Sequence, residues 1–425
     1  GTWTLGANNS HAFAYEDSWL VSPASRPLSL SMPLQTAAVP YRDAVVESFF
    51  DNLLPDGLDI RRRIQTRFHA ASTRAFDLLA EIGRDCVGAV QLLPMDQAPA
   101  GLDRIDGQVL TEAKIAQLLR GTPASAFPGQ HDYDAFRISL AGAQEKTALL
   151  WHEDNWHRPL GTTPTTHIFK LPLGRVGNMQ ADVTSSVENE WLCAQIVAAY
   201  GLPVANCAIA CFEEQKALVV ERFDRRLAVA GTHWLRLPQE DCCQALAVPP
   251  AIKYEADGGP GIQAILDLLL GAQDAVADRL TFFKTQIVFW LLCAPDGHGK
   301  NFSVAIEPQG RYRLTPLYDV LSAFPILGRG ANQLAPERAR MAMAVTGQNR
   351  HYEWSHILRR HWLSTARACG IDPDAAQALI DELLEKTPDV IAQVAAALPQ
   401  DFPANVAEAV FNGVGAAASK LAGAR

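Results

Sequence analysis

The apolar pattern changes period near residue 242, and that change restricts the chain to a fold built from two unlike parts. Between 136 and 226 the apolar residues sit in short, β-branched runs. Strands are predicted at 136–140, 147–151, 167–171 and 217–223. One helix, 186–200, interrupts them, with Val187, Trp191, Leu192, Ile196 and Ala199 at amphipathic spacing. Beyond 242 the period is helical, over 262–271, 278–294, 354–368, 374–386, 390–398 and 405–421. The segment 253–261 (Lys-Tyr-Glu-Ala-Asp-Gly-Gly-Pro-Gly) is too rich in glycine to be a helix and reads as a loop. The expected fold class is therefore an α+β N-terminal domain, 1–242, with a mostly helical C-terminal domain, 243–425. Upstream of 136 the pattern predicts short strands and turns over 1–60 and helix over 60–82. A buried strand is expected at 87–93 and a helix near 112–119.

Bulk properties exclude some functions. The 425 residues carry 37 basic and 46 acidic side chains, a net charge of −9, which opposes broad, autonomous nucleic-acid binding. No stretch reads as a membrane span or a signal segment, so the expected location is the cytoplasm with reduced cysteines. The chain begins at Gly1 rather than Met, so a truncated native start is expected. Cys207 and Cys211 have the spacing of half a zinc site but lack a second half, and read as buried thiols on a strand. His351, His356 and His361 recur every five residues, a spacing that does not stack side chains on a helix, and read as unrelated.

The chemistry concentrates between 296 and 319. The run Asp296-Gly-His-Gly-Lys-Asn301 follows a long apolar helix broken at Pro295. A hairpin pattern and Leu314-Thr-Pro-Leu-Tyr-Asp319 come next. Phosphoryl transfer needs one carboxylate to accept the proton of the attacking hydroxyl, and an Asn oxygen with a second carboxylate to hold Mg²⁺ against the phosphates of ATP. Asp296, Asn301 and Asp319 fit those three roles. Upstream parts follow in kinase order. Gly142 lies in a loop between two predicted strands, where backbone N–H groups could cover phosphates. Lys170 lies on a strand, facing away from Phe169 and Leu171, with Glu188 or Glu190 as its ion-pair candidate on the next helix. The strand ending at Glu221 and Phe223 stands where a hinge would hold adenine. Lys300 would be a cation directed at phosphate, and His298 would fix the loop. Ser139 precedes the Gly142 loop, and a phosphate on it would clash with those of ATP.

The chain resembles the HipA family of bacterial toxin kinases nearly end to end. The resemblance is carried by Phe49-Phe-Asp-Asn-Leu-Leu-Pro-Asp56, Glu81-Ile-Gly-Arg-Asp-Cys-Val-Gly-Ala-Val90 and Phe136-Arg-Ile-Ser-Leu-Ala-Gly-Ala-Gln-Glu-Lys146. Thr163-Pro-Thr-Thr-His-Ile-Phe-Lys170, Val220-Glu-Arg-Phe-Asp-Arg-Arg226 and the Asp296 run carry the remainder. It implies a two-lobed, protein-kinase-like fold, with residues 1–95 contacting an antitoxin and 136–226 forming the nucleotide-binding strands. Asp296 would be the catalytic base and Asn301 and Asp319 the Mg²⁺ ligands. Lys170 would contact the ATP phosphates, and Val87, Ile168 and Phe223 would wall the adenine. The Glu221 and Phe223 backbone would hold the adenine edge, with Asp224, Gln239, His298 and Tyr318 lining the site. Ser139 would be autophosphorylated, inactivating the kinase. The implied substrate is an aminoacyl-tRNA synthetase, glutamyl-tRNA synthetase in the type member, whose modification halts translation and favours persistence. The implied partner is a HipB-like helix-turn-helix antitoxin, which would carry the toxin to operator DNA and hence to the nucleoid. Pro295 and Gly299 depart from the Thr and Ala of the type member, and the first strand of the N-terminal domain is expected to be missing. Two other readings stand beside this one. A small-molecule kinase of the aminoglycoside-phosphotransferase type shares the Asp-x₄-Asn pattern. A non-catalytic co-repressor would leave the site idle.

Overall fold

The computed structural model describes residues 1–121, 140, 146–176 and 180–423. The predicted strand 136–140 and the candidates Ser139 and Gly142 therefore lie outside the described residues, apart from Leu140. Two compact units emerge, and they do not follow one cut at 242. The first comprises Gly1–Leu171, Ala210–Ala251 and Val304–Tyr312; the second comprises Pro172–Ile209, Ile252–Ser303 and Arg313–Arg425.

The first unit opens with a module whose core gathers Phe13, Tyr15, Met32, Val46, Phe49, Phe50, Leu78, Leu79 and Ile82. Trp3 stacks on Phe50 at 3.9 Å between ring centroids. Short strands are present as expected, and Thr2–Leu5, His11–Ala14 and Tyr41–Arg42 pair antiparallel in one sheet. The helix Ala44–Asp51 was not anticipated within 1–60; it forms because Val46, Phe49 and Phe50 share one buried face. The expected helical stretch 60–82 is two helices, Leu58–Phe68 and Ala75–Ile82. Residues 87–93 are not a strand: Gly88 turns the chain with φ +71°, and a Cβ there would lie 2.6 Å from the Gln239 carbonyl oxygen.

The rest of this unit is a six-stranded sheet in the order Cys207–Phe212, Gln215–Glu221, His167–Lys170, Lys146–His152, Asn155–Pro159, Gly107–Val109. Helix Glu112–Gly121 covers one face, where Ile115, Ala116 and Leu119 meet Leu149, Phe169, Ala217 and Val219. Strand alternation sends Ile168 and Lys170 to the opposite face. Cys207 and Cys211 are on a strand, as expected, but they are half-buried and exposed, not buried. None of the eight cysteines forms a disulfide.

Strand Gln239–Asp241 binds the N-terminal module through Glu240, whose carboxylate accepts the Leu30 N–H at 2.7 Å. Burial pushes the Glu240 carboxyl up to about 8. Its folded value thus exceeds the ordinary value of about 4.3, so the unfolded chain releases this proton first as pH rises. Stability from this group is complete below about pH 4.3 and is lost progressively as pH rises to about 8. We expect Glu240→Gln to flatten that decline and to raise stability at pH 8 by up to about 4 kcal/mol. Urea unfolding of both proteins at pH 5 and pH 8 checks this; parallel pH dependence would contradict it.

The second unit is built around helix Ala275–Leu291, whose Phe282, Phe283, Ile287, Val288, Phe289 and Trp290 are all buried. Asp274 caps its start by accepting the Ala277 N–H. The predicted helix 186–200 is present as Ser186–Ala199, but it is buried nearly all round and not amphipathic, because it packs against helix Pro373–Ala396. That packing assigns it to this unit. The predicted helices 374–386 and 390–398 are one helix, Pro373–Ala396, which runs through Pro388. Buried Leu383, Thr387, Val390 and Val394 hold it continuous across the lost N–H. The expected helix 354–368 begins at Arg359, after a turn of 3₁₀ helix. The C-terminal half is also less purely helical than expected: Arg340–Thr346 and Arg350–Glu353 form a strand pair. That pair turns His351 onto His361, and the rings stack at 3.9 Å, so these two histidines are neighbours after all. Among the described residues no helix is long and apolar enough to cross a membrane.

Candidate active site

The end of helix Ala275–Leu291 delivers the Asp296 loop. Cys293 takes a left-handed conformation, φ +46°, and Pro295 cannot extend the helix. Gly297 has no room for a side chain, since a Cβ would lie 2.6 Å from the Phe289 ring. The loop then closes on itself. The Asp296 carbonyl accepts the His298 N–H at 2.8 Å and the Asn301 side-chain amide at 2.7 Å. Asn301 N–H bonds the His298 carbonyl at 2.9 Å. Donation through Nδ2 leaves the Asn301 amide oxygen as an acceptor or ligand. His298, Lys300 and Asn301 are buried, while the Asp296 side chain is 51% exposed.

Asp319 is brought to this loop by its neighbour. The Tyr318 hydroxyl donates to the Lys300 carbonyl at 2.8 Å and lies 2.5 Å from Ser303 Oγ. Asp319 itself has φ +61°, a conformation that, after glycine, Asn and Asp tolerate best. Three residues on, Ser322 exchanges hydrogen bonds of 2.9 and 2.7 Å with the Asn189 side chain. Glu188 and Glu190 flank Asn189 and are buried. The side-chain groups of Asn301 and Asp319, the expected metal ligands, offer oxygen donors only. That is a hard, sparse set suited to a hydrated Mg²⁺ and unlike a zinc site. Among the described residues no group of three or more His, Cys, Asp or Glu gathers to hold a metal ion.

The predicted nucleotide residues of the first unit also come together. Ile168 pairs across the sheet with Val220 and with Ala148. The turn carrying Val87 is pinned beside Phe223 and Asp224: the Gly88 N–H donates to Asp224 at 2.7 Å, and Arg225 donates to the Gly88 carbonyl at 2.7 Å. Leu237 N–H bonds the Asp224 carbonyl, which carries Gln239 to the same place. Gln239 Oε1 is buried and has no hydrogen-bond partner among the described residues. Beyond Glu221, the Arg222 N–H bonds the Thr166 carbonyl at 2.8 Å, which fixes the expected hinge against the Ile168 strand.

A buried charge cluster that sequence reasoning missed organises these residues. Asp85 pairs with Arg222, Arg225 and Arg236 at 3.0–3.4 Å, and Asp224 pairs with Arg222 and Arg225 at 2.8 and 2.9 Å. Burial alone would raise Asp85, but Arg225, Arg222 and Arg236 hold it well below the usual carboxylate range. Asp224 is held down in the same way by Arg222 and Arg225. Asp224 is therefore a scaffold for the Val87 turn as well as a candidate to line a nucleotide site. The signal was present as Arg222-Phe-Asp-Arg-Arg226, but the partner Asp85 lies 137 residues away. Also missed was Lys146, directly opposite Lys170 in the sheet register.

Comparison with known proteins agrees with this architecture. Residues 1–93 match the family description "HipA N-terminal domain" and residues 138–391 match "HipA-like C-terminal domain". A Sinorhizobium fredii protein named "Putative kinase Y4mE" is 33% identical over 403 residues, which cover 93% of this chain and 89% of the relative. The "Serine/threonine-protein kinase toxin HipA" of Shewanella oneidensis is 27% identical, over 74% of this chain and 70% of its own. A solved Shewanella oneidensis HipA, in complex with HipB and operator DNA, superposes with a TM-score of 0.78 at 24% identity. It covers 100% of this chain and 95% of that one.

Proposed function

Because the chain belongs to the HipA family, we propose that it is an ATP- and Mg²⁺-dependent serine/threonine protein kinase, the toxin of a toxin–antitoxin module. The observation that carries the reading is the Tyr318 hydroxyl. It ties the segment of Asp319 to the loop that carries Asp296 and Asn301. Asp296 accepts the proton of the acceptor hydroxyl, as its half-exposed carboxylate permits. Asn301 and Asp319 would hold Mg²⁺, which when bound neutralises charge on the phosphates. Lys170 and Lys146 receive the phosphates. Val87, Ile168 and Phe223 wall the adenine, with the Glu221 and Phe223 backbone at its edge and Gln239 and Asp224 beside it. Lys300 is directed at the phosphates, and His298 and Tyr318 line the nucleotide site beside the catalytic loop. Ser139 is the proposed site of self-inactivation.

The proposed substrate is an aminoacyl-tRNA synthetase, glutamyl-tRNA synthetase first. The proposed partner is a helix-turn-helix antitoxin of the HipB kind, which supplies the basic surface for operator DNA that a chain of net charge −9 lacks. Incubation with Mg·ATP, with and without purified glutamyl-tRNA synthetase, tests this by intact mass and phosphosite mapping. We expect one phosphate at Ser139 and transfer to the synthetase, both lost in Asp296→Ala. A protein that binds ATP, starts unphosphorylated and modifies neither itself nor any synthetase would refute the kinase reading and favour the co-repressor.

A further inference from the structure

The mechanism above leaves one contact of the base unused. The Tyr254 hydroxyl donates a hydrogen bond to Asp296 Oδ1. The Tyr254 ring in turn meets the His298 ring edge-on at 4.9 Å, and His298 Nε2 lies 3.8 Å from the same carboxylate oxygen. Tyr254 belongs to the glycine-rich segment 253–261, which is held at several points. The Lys253 carbonyl accepts the Gly299 N–H at 3.3 Å, joining this segment to the catalytic loop. The Tyr254 carbonyl accepts the N–H groups of Asp257 and Gly259 at 3.1 and 2.9 Å, closing a tight turn. Gly259 is required there, because a Cβ would lie 2.2 Å from the Ile252 carbonyl oxygen. Glu255 anchors the other side: its carboxylate accepts the Ala344 N–H at 2.6 Å and pairs with Arg350 at 3.4 Å.

We propose that Tyr254 is a positioning residue for phosphoryl transfer, holding Oδ1 of Asp296 so that Oδ2 is presented to the acceptor hydroxyl. This rests on the kinase reading of Asp296. The physical need is plain. A half-exposed aspartate on a loop samples several rotamers, and a base displaced by about 1 Å loses on the order of 10²-fold in rate. A donor on a segment pinned by Lys253, Glu255 and Gly259 settles the rotamer before substrate arrives, so ordering it costs nothing at the moment of reaction. The glycines of 253–261 then have a role: they let the chain turn tightly enough to present the tyrosine.

The test uses the full chain. Tyr254→Phe keeps the ring against His298 and removes only the hydroxyl. In crystals of this variant we expect the Asp296 carboxylate to leave its wild-type position or to occupy two conformers. Turnover should fall about 10–100-fold, with KM for ATP and the melting temperature unchanged. In Tyr254→Ala, added phenol should restore part of the turnover and toluene none, because only phenol carries the donor. An undisturbed carboxylate in Tyr254→Phe overturns the proposal, as does a displaced carboxylate with wild-type turnover. If wild type transfers no phosphate at all while the carboxylate still swings away in Tyr254→Phe, the positioning role stands and the kinase reading falls.

Discussion

Replacing Asp296 with asparagine should lower phosphoryl transfer by about 10²–10⁴-fold while leaving the protein folded and its affinity for ATP unchanged. The expected size is the usual contribution of a positioned general base. Asparagine is nearly isosteric, and its amide oxygen still accepts from the Tyr254 hydroxyl, so the loop keeps that contact. The backbone carbonyl that binds His298 and Asn301 is untouched. Asn301→Ala and Asp319→Asn should behave differently, raising the Mg²⁺ concentration needed for half-maximal rate, because they remove proposed metal ligands rather than the proposed base. Rates measured across a Mg²⁺ series separate the two classes. An Asp296→Asn protein with wild-type turnover would remove Asp296 from the reaction.

The second large effect is on stability. Arg225→Met should destabilise the first unit by about 3–5 kcal/mol, because it leaves Asp85 and Asp224 buried with one guanidinium fewer. For a unit of this size that is a fall in melting temperature of about 6–20 °C. The guanidinium also bonds the carbonyls of Cys86 and Gly88, so the Val87 turn loses two more ties. Asp85→Asn should also destabilise, by uncovering Arg222, Arg225 and Arg236 together. The pair Asp85→Asn with Arg225→Met should cost less than the two single changes added, since each removes the charge that the other strands. Both carboxyls are held below their ordinary values. Their contribution is therefore present above about pH 4 and is lost only as pH falls through the depressed range. Calorimetry at pH 7 and near pH 3 reads both effects. An Arg225→Met protein that melts within about 1 °C of wild type would show that the cluster is not a keystone of this unit.

Sequence reasoning succeeded where the signal was local. Strands 147–151, 167–171 and 217–223 and helices 112–119, 262–271 and 405–421 all appear within a few residues of their expected bounds. Each is specified by its own period and its own breakers. The errors have tertiary causes. Residues 87–93 have strand composition, but Gly88 must turn beside Gln239, a residue 151 positions later in the chain. Pro388 looks like a helix break until the face of Leu383, Thr387, Val390 and Val394 is buried. His351 and His361 have the wrong spacing for one helix and stack because one lies on a strand and the other on a helix.

The same division runs through the candidate site. The order of Asp296, Asn301 and Asp319, the Pro295 break and the lysine on its strand are properties of the sequence alone. They follow from residue type, spacing and strand alternation, none of which needs a partner from elsewhere. What only the tertiary structure decided is how those groups are held. Tyr254 reaches Asp296 from 42 residues upstream, Tyr318 clasps Lys300 across a hairpin, and Asp85 gathers three arginines from beyond residue 220. Hydrogen bonds and ion pairs act over a few ångströms of space and carry no period along the chain, so such partners become visible only once the chain has folded.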